Sequence, residues 1–135
     1  MNPRPTTIIV GVVILVLGVL GLAYPDRVMA FLGFMIVQPS QAAVALGEIR
    51  ATYGGLFTVM GAFTIFAGMR PHAHRSTILF VGLLWLGICA GRLIGAYVDG
   101  GPGVPGWLFA AFELIVGGVL IAAWWGARDA MGAEP

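Results

Sequence analysis

The chain has 135 residues, 59% of them hydrophobic and 10% charged, with a mean hydropathy of +0.96 and a formal charge of +1. A soluble domain carries about a quarter of its residues as charges, so the solvent of this chain is expected to be largely hydrocarbon. The near-neutral balance excludes a nucleic-acid binder, which needs a concentrated basic face, and a single cysteine excludes an internal disulfide or a cysteine-rich metal site.

One domain is the natural count at this length. A bilayer core of about 30 Å asks for roughly 20 apolar residues in a helix, and four segments meet that length: residues 6–24, 46–69, 77–98 and 106–126. Unsatisfied backbone groups cost several kcal/mol each in hydrocarbon, so these spans must be helices. The sequence therefore predicts an all-α, single-domain membrane four-helix bundle. Trp107, Trp124, Trp125 and Tyr24 stand near span ends, where aromatic side chains favour the membrane–water boundary. Residues 28–37 are apolar but cover only about 15 Å as a helix, and Gln38-Pro39-Ser40-Gln41 interrupts them. That segment is expected to be an interfacial or re-entrant helix. The first span could also be read as a signal peptide, but its apolar core exceeds the usual 7–15 residues and Asp26-Arg27 intervenes before a cleavage-like site. An uncleaved anchor is the reading adopted.

All seven basic residues are arginines. Arg4, the Arg70–Arg75 loop and Arg128 fall on one side of the four spans, Arg27 alone near an end on the other. The bias of arginine toward cytoplasmic loops predicts both termini in the cytoplasm.

The charges inside or beside the spans are then expected at the outer end. Glu48 and Arg50 lie early in the second span, Arg92 six residues before the end of the third, Asp99 at its close, and Glu113 seven residues into the fourth. An isolated charge in hydrocarbon costs several kcal/mol, so each needs a partner or water. Arg92 and Glu113, at similar depth on spans joined by a short turn, are expected to pair. Arg50 and Asp99 each oppose the dipole of their own helix end, and pairing with each other would explain both; Glu48 suits a helix N-terminus and could cap it. Tyr53 is three residues from Arg50, on its side of the helix, and Arg92 and Asp99, seven apart, share a face.

Small residues recur every four positions at Gly87, Gly91 and Gly95, and at Ala51 and Gly55. This spacing suits close helix packing within the bundle, with an oligomer face as the alternative. Cys89, inside an apolar run, reads as a small packing residue. His72 and His74 lack the further ligands a zinc ion needs, and the 100–106 segment is a turn signal without the lysine and Ser/Thr of a phosphate loop. No cofactor or metal is expected, and no nucleophile–base–orienter arrangement is visible.

The strings Gly47-Glu48-Ile49-Arg50-Ala51-Thr52-Tyr53-Gly54-Gly55, Gly91-Arg92-Leu93-Ile94-Gly95 through Asp99-Gly100, and Phe112-Glu113-Leu114 resemble a family of small bacterial four-helix membrane proteins catalogued only as a domain of unknown function. The resemblance implies a bacterial inner-membrane location and four spans, and no activity. A looser similarity joins Glu48, Arg50 and Arg92 to membrane glutathione-transferase-like enzymes, although Tyr53, Gly54 and Gly55 stand where those enzymes carry further polar residues. Small multidrug exporters carry a decisive glutamate in the first helix, which is uncharged here. The reading adopted is a non-enzymatic inner-membrane protein whose charge cluster locks the fold or receives an amphipathic ligand or partner helix. Its partners are the bilayer and either further copies of itself or a larger membrane complex. The alternatives are a small proton-coupled transporter and, less favoured, a glutathione-transferase-like enzyme.

Overall fold

A computed structural model describes residues 2–35 and 38–129 of the chain. Every regular element among them is helical. The order is α1 (Pro3–Ala23), α2 (Pro25–Phe31), a 3₁₀ turn (Pro39–Gln41), α3 (Ala42–Ile49), a π-helical stretch (Arg50–Leu56), α4 (Phe57–Met69), α5 (Arg75–Val98) and α6 (Gly103–Asp129). The α3, π and α4 stretches run on without a break as one second span, Ala42–Met69. With α1, α5 and α6 this makes four helices long and apolar enough to cross a membrane. Only 28–39% of the residues in their apolar windows are buried, and side chains such as Ile9, Phe63, Phe80 and Ile115 are more than half exposed. Soluble proteins rarely expose apolar surface on this scale, so lipid is the solvent these faces fit. On α6, Trp107 and Trp124 are seventeen residues apart, about 26 Å of helix, close to the hydrocarbon thickness.

The helix limits have local causes. Pro25 occupies the first position of α2, where its missing N–H costs nothing, and Asp26 complements the positive helix end. Gly33, at φ +79, then turns the chain away as only glycine does freely. The expected short segment thus becomes the seven-residue α2 followed by a turn. Ile36 and Val37, its last two residues, lie outside the described residues. The second span begins four residues before the expected Leu46. The fourth begins at Gly103, because Pro105 is tolerated within a first helical turn.

The chain divides into two compact units, Met1–Val10 with Phe63–Pro135, and Gly11–Ala62. Within the Gly11–Ala62 unit, α1 and the second span meet through glycine. A Cβ on Gly21 would fall 2.5 Å from the Tyr53 carbonyl oxygen, and one on Gly54 would fall 2.9 Å from the Leu22 nitrogen; Gly18 faces the Thr58 backbone and Gly61 that of Leu15. Thr58 Oγ1 donates to the Gly54 carbonyl at 2.8 Å, which satisfies its hydroxyl within its own helix.

Within the other unit, α5 and α6 form a hairpin. Ile78, Val81, Gly82, Trp85 and Cys89 are buried on α5, and Gly106, Ala110, Glu113, Val116, Gly117, Leu120, Ala123 and Ala127 on α6. Steps of three and four on both helices define a heptad-like seam. Gly82 and Gly117 mark the close approach: a Cβ on Gly117 would lie 2.7 Å from the Leu86 side chain and 3.1 Å from the Gly82 oxygen.

The expected packing stripe is not where the helices of either unit meet. A Cβ on Gly87 or Gly91 would touch nothing within 4 Å among the described residues, one on Gly95 only Asp99 at 3.8 Å, and one on Gly55 only the Arg50 carbonyl of its own helix. Ala51 is exposed. The spacing rule identifies stripes of small residues, but which stripe is covered depends on the face the larger neighbours take. Trp85 and Cys89 set α5 so that Gly82 faces inward.

Candidate functional site

The seam of α5 and α6 carries a single acid. Glu113 follows Ala110 by three residues and precedes Leu120 by seven, so the helical repeat that buries those two also buries Glu113, which is 4% exposed. Arg92 continues the row of Ile78 and Trp85 on α5, each seven residues from the next. Its guanidinium grips both carboxylate oxygens. Nε donates to Oε1 and Oε2 at 3.1 Å each, and Nη2 donates to Oε1 at 2.5 Å. Charge-assisted contacts of this kind are about twice as strong as neutral hydrogen bonds, and the planar fork fixes orientation as well as distance.

The pair is not level along the hairpin. The contacts of Gly82 with Gly117 and Cys89 with Ala110 share one register, which sets Arg92 opposite Trp107 and Glu113 opposite Leu86. That separation is about six residues, roughly 9 Å of helix. Helical side chains lean toward their own N-terminus. In an antiparallel hairpin Arg92 therefore leans away from the connecting turn and Glu113 toward it, and the two converge between their backbones.

The surroundings are apolar. The Arg92 guanidinium stands 5.4 Å from the Phe109 ring centre, a cation–π arrangement. Trp85, 1% exposed, meets Phe112 edge-on at 5.5 Å. Cys89 is buried, and its thiol donates to the Ala110 carbonyl at 3.5 Å. The ion pair is thus flanked by rings on a glycine-closed seam, with the Glu113 side chain 5% exposed and that of Arg92 25% exposed.

The remaining expected residues are arranged differently. Glu48 is exposed and lies six residues inside a helix that starts at Ala42, so it cannot cap that helix; Gln41 holds the cap position and makes no side-chain cap bond. The helix dipole acts within the first turn, and Arg50, eight residues in, is beyond its reach. Within the Gly11–Ala62 unit neither Glu48 nor Arg50 makes a side-chain hydrogen bond or ion pair among the described residues. Arg50 opens the π-helical stretch that runs through Tyr53 and Gly54. Tyr53 meets the Phe57 ring at a tilt, the centres 5.6 Å apart, and is half-buried, whereas Arg50 is exposed. Asp99 caps the C-terminal end of α5, its N–H donating to the Gly95 carbonyl at 2.8 Å, and its side chain is exposed.

Sequence reasoning missed the π-helical stretch, for which α-helical spacing gives no signal, and the Trp85–Phe112 and Gly82–Gly117 contacts. The heptad spacing of residues 78, 82, 85, 89 and 92 would have found the latter. It also missed the role of His72, whose Nδ1 donates to the Ala127 carbonyl at 2.9 Å and ties the α4–α5 loop to α6.

Four spanning helices with mostly uncovered apolar faces define a multi-pass membrane protein. A family model described as Domain of unknown function (DUF4345) matches residues 4–125, and the chain belongs to that family. No curated protein and no solved structure matches it.

Proposed function

We propose that this chain is a non-enzymatic protein of a bacterial inner membrane, in which the Arg92–Glu113 pair fixes the register of α5 against α6 and an amphipathic ligand or partner helix is received beside it. The observation that carries this reading is the grip of Arg92 on both oxygens of an acid that is 4% exposed. A pair of charges costs desolvation whether or not it stabilises, and its best-attested structural use is to specify which residues face one another. A charged group beside an aromatic ring is the chemistry an amphipathic group would meet there. The clustering of Arg4, Arg70, Arg75 and Arg128 supports cytoplasmic termini.

The test is a cycle of R92A, E113A and the double variant, each purified in detergent and followed by helical circular dichroism and native mass spectrometry. Loss of folding in each single variant with recovery in the double one supports the structural role. Single variants that fold normally but release a co-purifying small molecule would move the pair's role from holding the helices to holding the ligand.

A further inference from the structure

At the end of the Met1–Val10 and Phe63–Pro135 unit away from the α5–α6 turn, a cavity of about 520 Å³ opens among Asn2, Arg4, Met69, Arg70, His72 and Gly126. We infer that this cavity is a binding site for a phosphoryl group, carried by an anionic lipid headgroup or as the free ion. It is separate from the Arg92–Glu113 pair and does not rest on the function proposed for that pair.

The charges there have one sign. Arg4 and Arg70 line the cavity, no acid lines it among the described residues, and neither guanidinium has a side-chain hydrogen bond or ion pair among the described residues. Arginine's planar fork matches phosphate oxygens two at a time. The positive end of α1 also points here, which favours an anion. Pro3 and Pro5 have no N–H to offer, and the Arg4 amide is taken by Asn2 Oδ1 at 3.2 Å. The two guanidinium groups are therefore the charged donors at the cavity, beside the polar side chains of Asn2 and His72.

Contacts next to the lining brace the elements that carry it. His72 is held by its bond to the Ala127 carbonyl, Thr7 Oγ1 donates to the Pro3 carbonyl at 2.7 Å, and Gly68 lets α4 approach the Ile8 backbone, a Cβ there falling 3.0 Å from the Ile8 nitrogen. Its volume falls within the roughly 300–1,000 Å³ of small-molecule sites, larger than a bare ion needs. Met69, half exposed, supplies an apolar wall beside the arginines. The location is at span ends, the depth at which anionic headgroups meet basic residues.

The experiment uses the full chain in mild detergent with three probes: dioleoyl-phosphatidylglycerol, dioleoyl-phosphatidylcholine and inorganic phosphate. Native mass spectrometry reads lipid retention, and the melting temperature reads the free ion. A lipid source predicts that phosphatidylglycerol is retained over phosphatidylcholine while inorganic phosphate does not shift melting. A free-ion source predicts the reverse, a rise in melting temperature with phosphate and no lipid preference. Either result supports the phosphoryl site if R4Q/R70Q weakens that binding by about tenfold per guanidinium removed. The control R75Q/R128Q removes the same charge outside the cavity lining and is expected to leave binding unchanged. Circular dichroism checks folding; should the double variant unfold, R4Q and R70Q singly carry the same test. Binding of neither phosphatidylglycerol nor phosphate, binding untouched by R4Q/R70Q, or an equal loss in R75Q/R128Q would overturn the assignment.

Discussion

Between Gly11 and Ala62 helices meet through backbone, with Gly18, Gly21, Gly54 and Gly61 each facing main-chain atoms of the neighbouring helix. The α5–α6 seam also has a glycine contact, at Gly82 and Gly117, but adds a charged pair, a buried indole and a thiol. Water is absent from the core of a bilayer, so helices there associate through packing and polar contacts in place of a hydrophobic effect. The first region meets through close backbone approach. The second adds directed bonds, which tolerate little change in either partner but hold a defined register. The difference predicts which substitutions each region resists.

The largest effect is expected at Glu113. E113L leaves Arg92 facing an apolar seam, and removing one partner of a buried pair costs about 3–5 kcal/mol. Replacing both, as R92M/E113L, is expected to return most of that stability, since well-packed apolar residues often equal a buried pair. E113Q keeps an acceptor of the same shape and should fall between, at about 1–3 kcal/mol. Titration with a denaturing detergent, followed by helical circular dichroism, orders the three. Additive losses in the double variant would show that the pair does not couple the helices.

Next comes G21A, which probes the region held by shape. Its new Cβ meets the Tyr53 carbonyl oxygen at 2.5 Å, a backbone atom that cannot rotate aside, and overpacking of this kind costs about 1–3 kcal/mol. A G21A protein as stable as the parent would mean that α1 and the second span do not approach this closely. A smaller loss, about 1 kcal/mol, is expected for H72A, which removes the single side-chain bond from the α4–α5 loop to the Ala127 carbonyl. Its mark should be faster amide exchange in residues 70–74 with the α5–α6 seam unchanged.

The four spans were legible because a run of twenty apolar residues has few other solutions, and the partners Arg92 and Glu113 because charges in such runs are rare enough to be matched by depth. Their meeting point was less so: α6 starts three residues before the expected Gly106, and it is the opposed lean of the two side chains that closes the gap. The π-helical stretch from Arg50 to Leu56 was invisible, since α-helical spacing carries no signal for it. Gly87, Gly91 and Gly95 have the spacing of a packing face, as Ala51 and Gly55 do, but spacing cannot tell which face of a helix its larger neighbours turn inward.

That last distinction can be measured with the smallest of the expected effects. In G87A and G91A the added methyl groups meet nothing within 4 Å among the described residues, and both positions are inside α5. Alanine is favoured over glycine in a helix interior by up to about 1 kcal/mol, so each substitution should leave the melting temperature unchanged or raise it slightly. The same change at Gly82, where a Cβ would meet the Leu120 and Ile121 side chains at 3.2 Å, should lower it. If G87A and G91A instead destabilise the protein, and do so more at high protein-to-detergent ratio than at low, another copy of the chain covers that stripe in the membrane. The glycines would then be packing residues after all, between molecules and not within one.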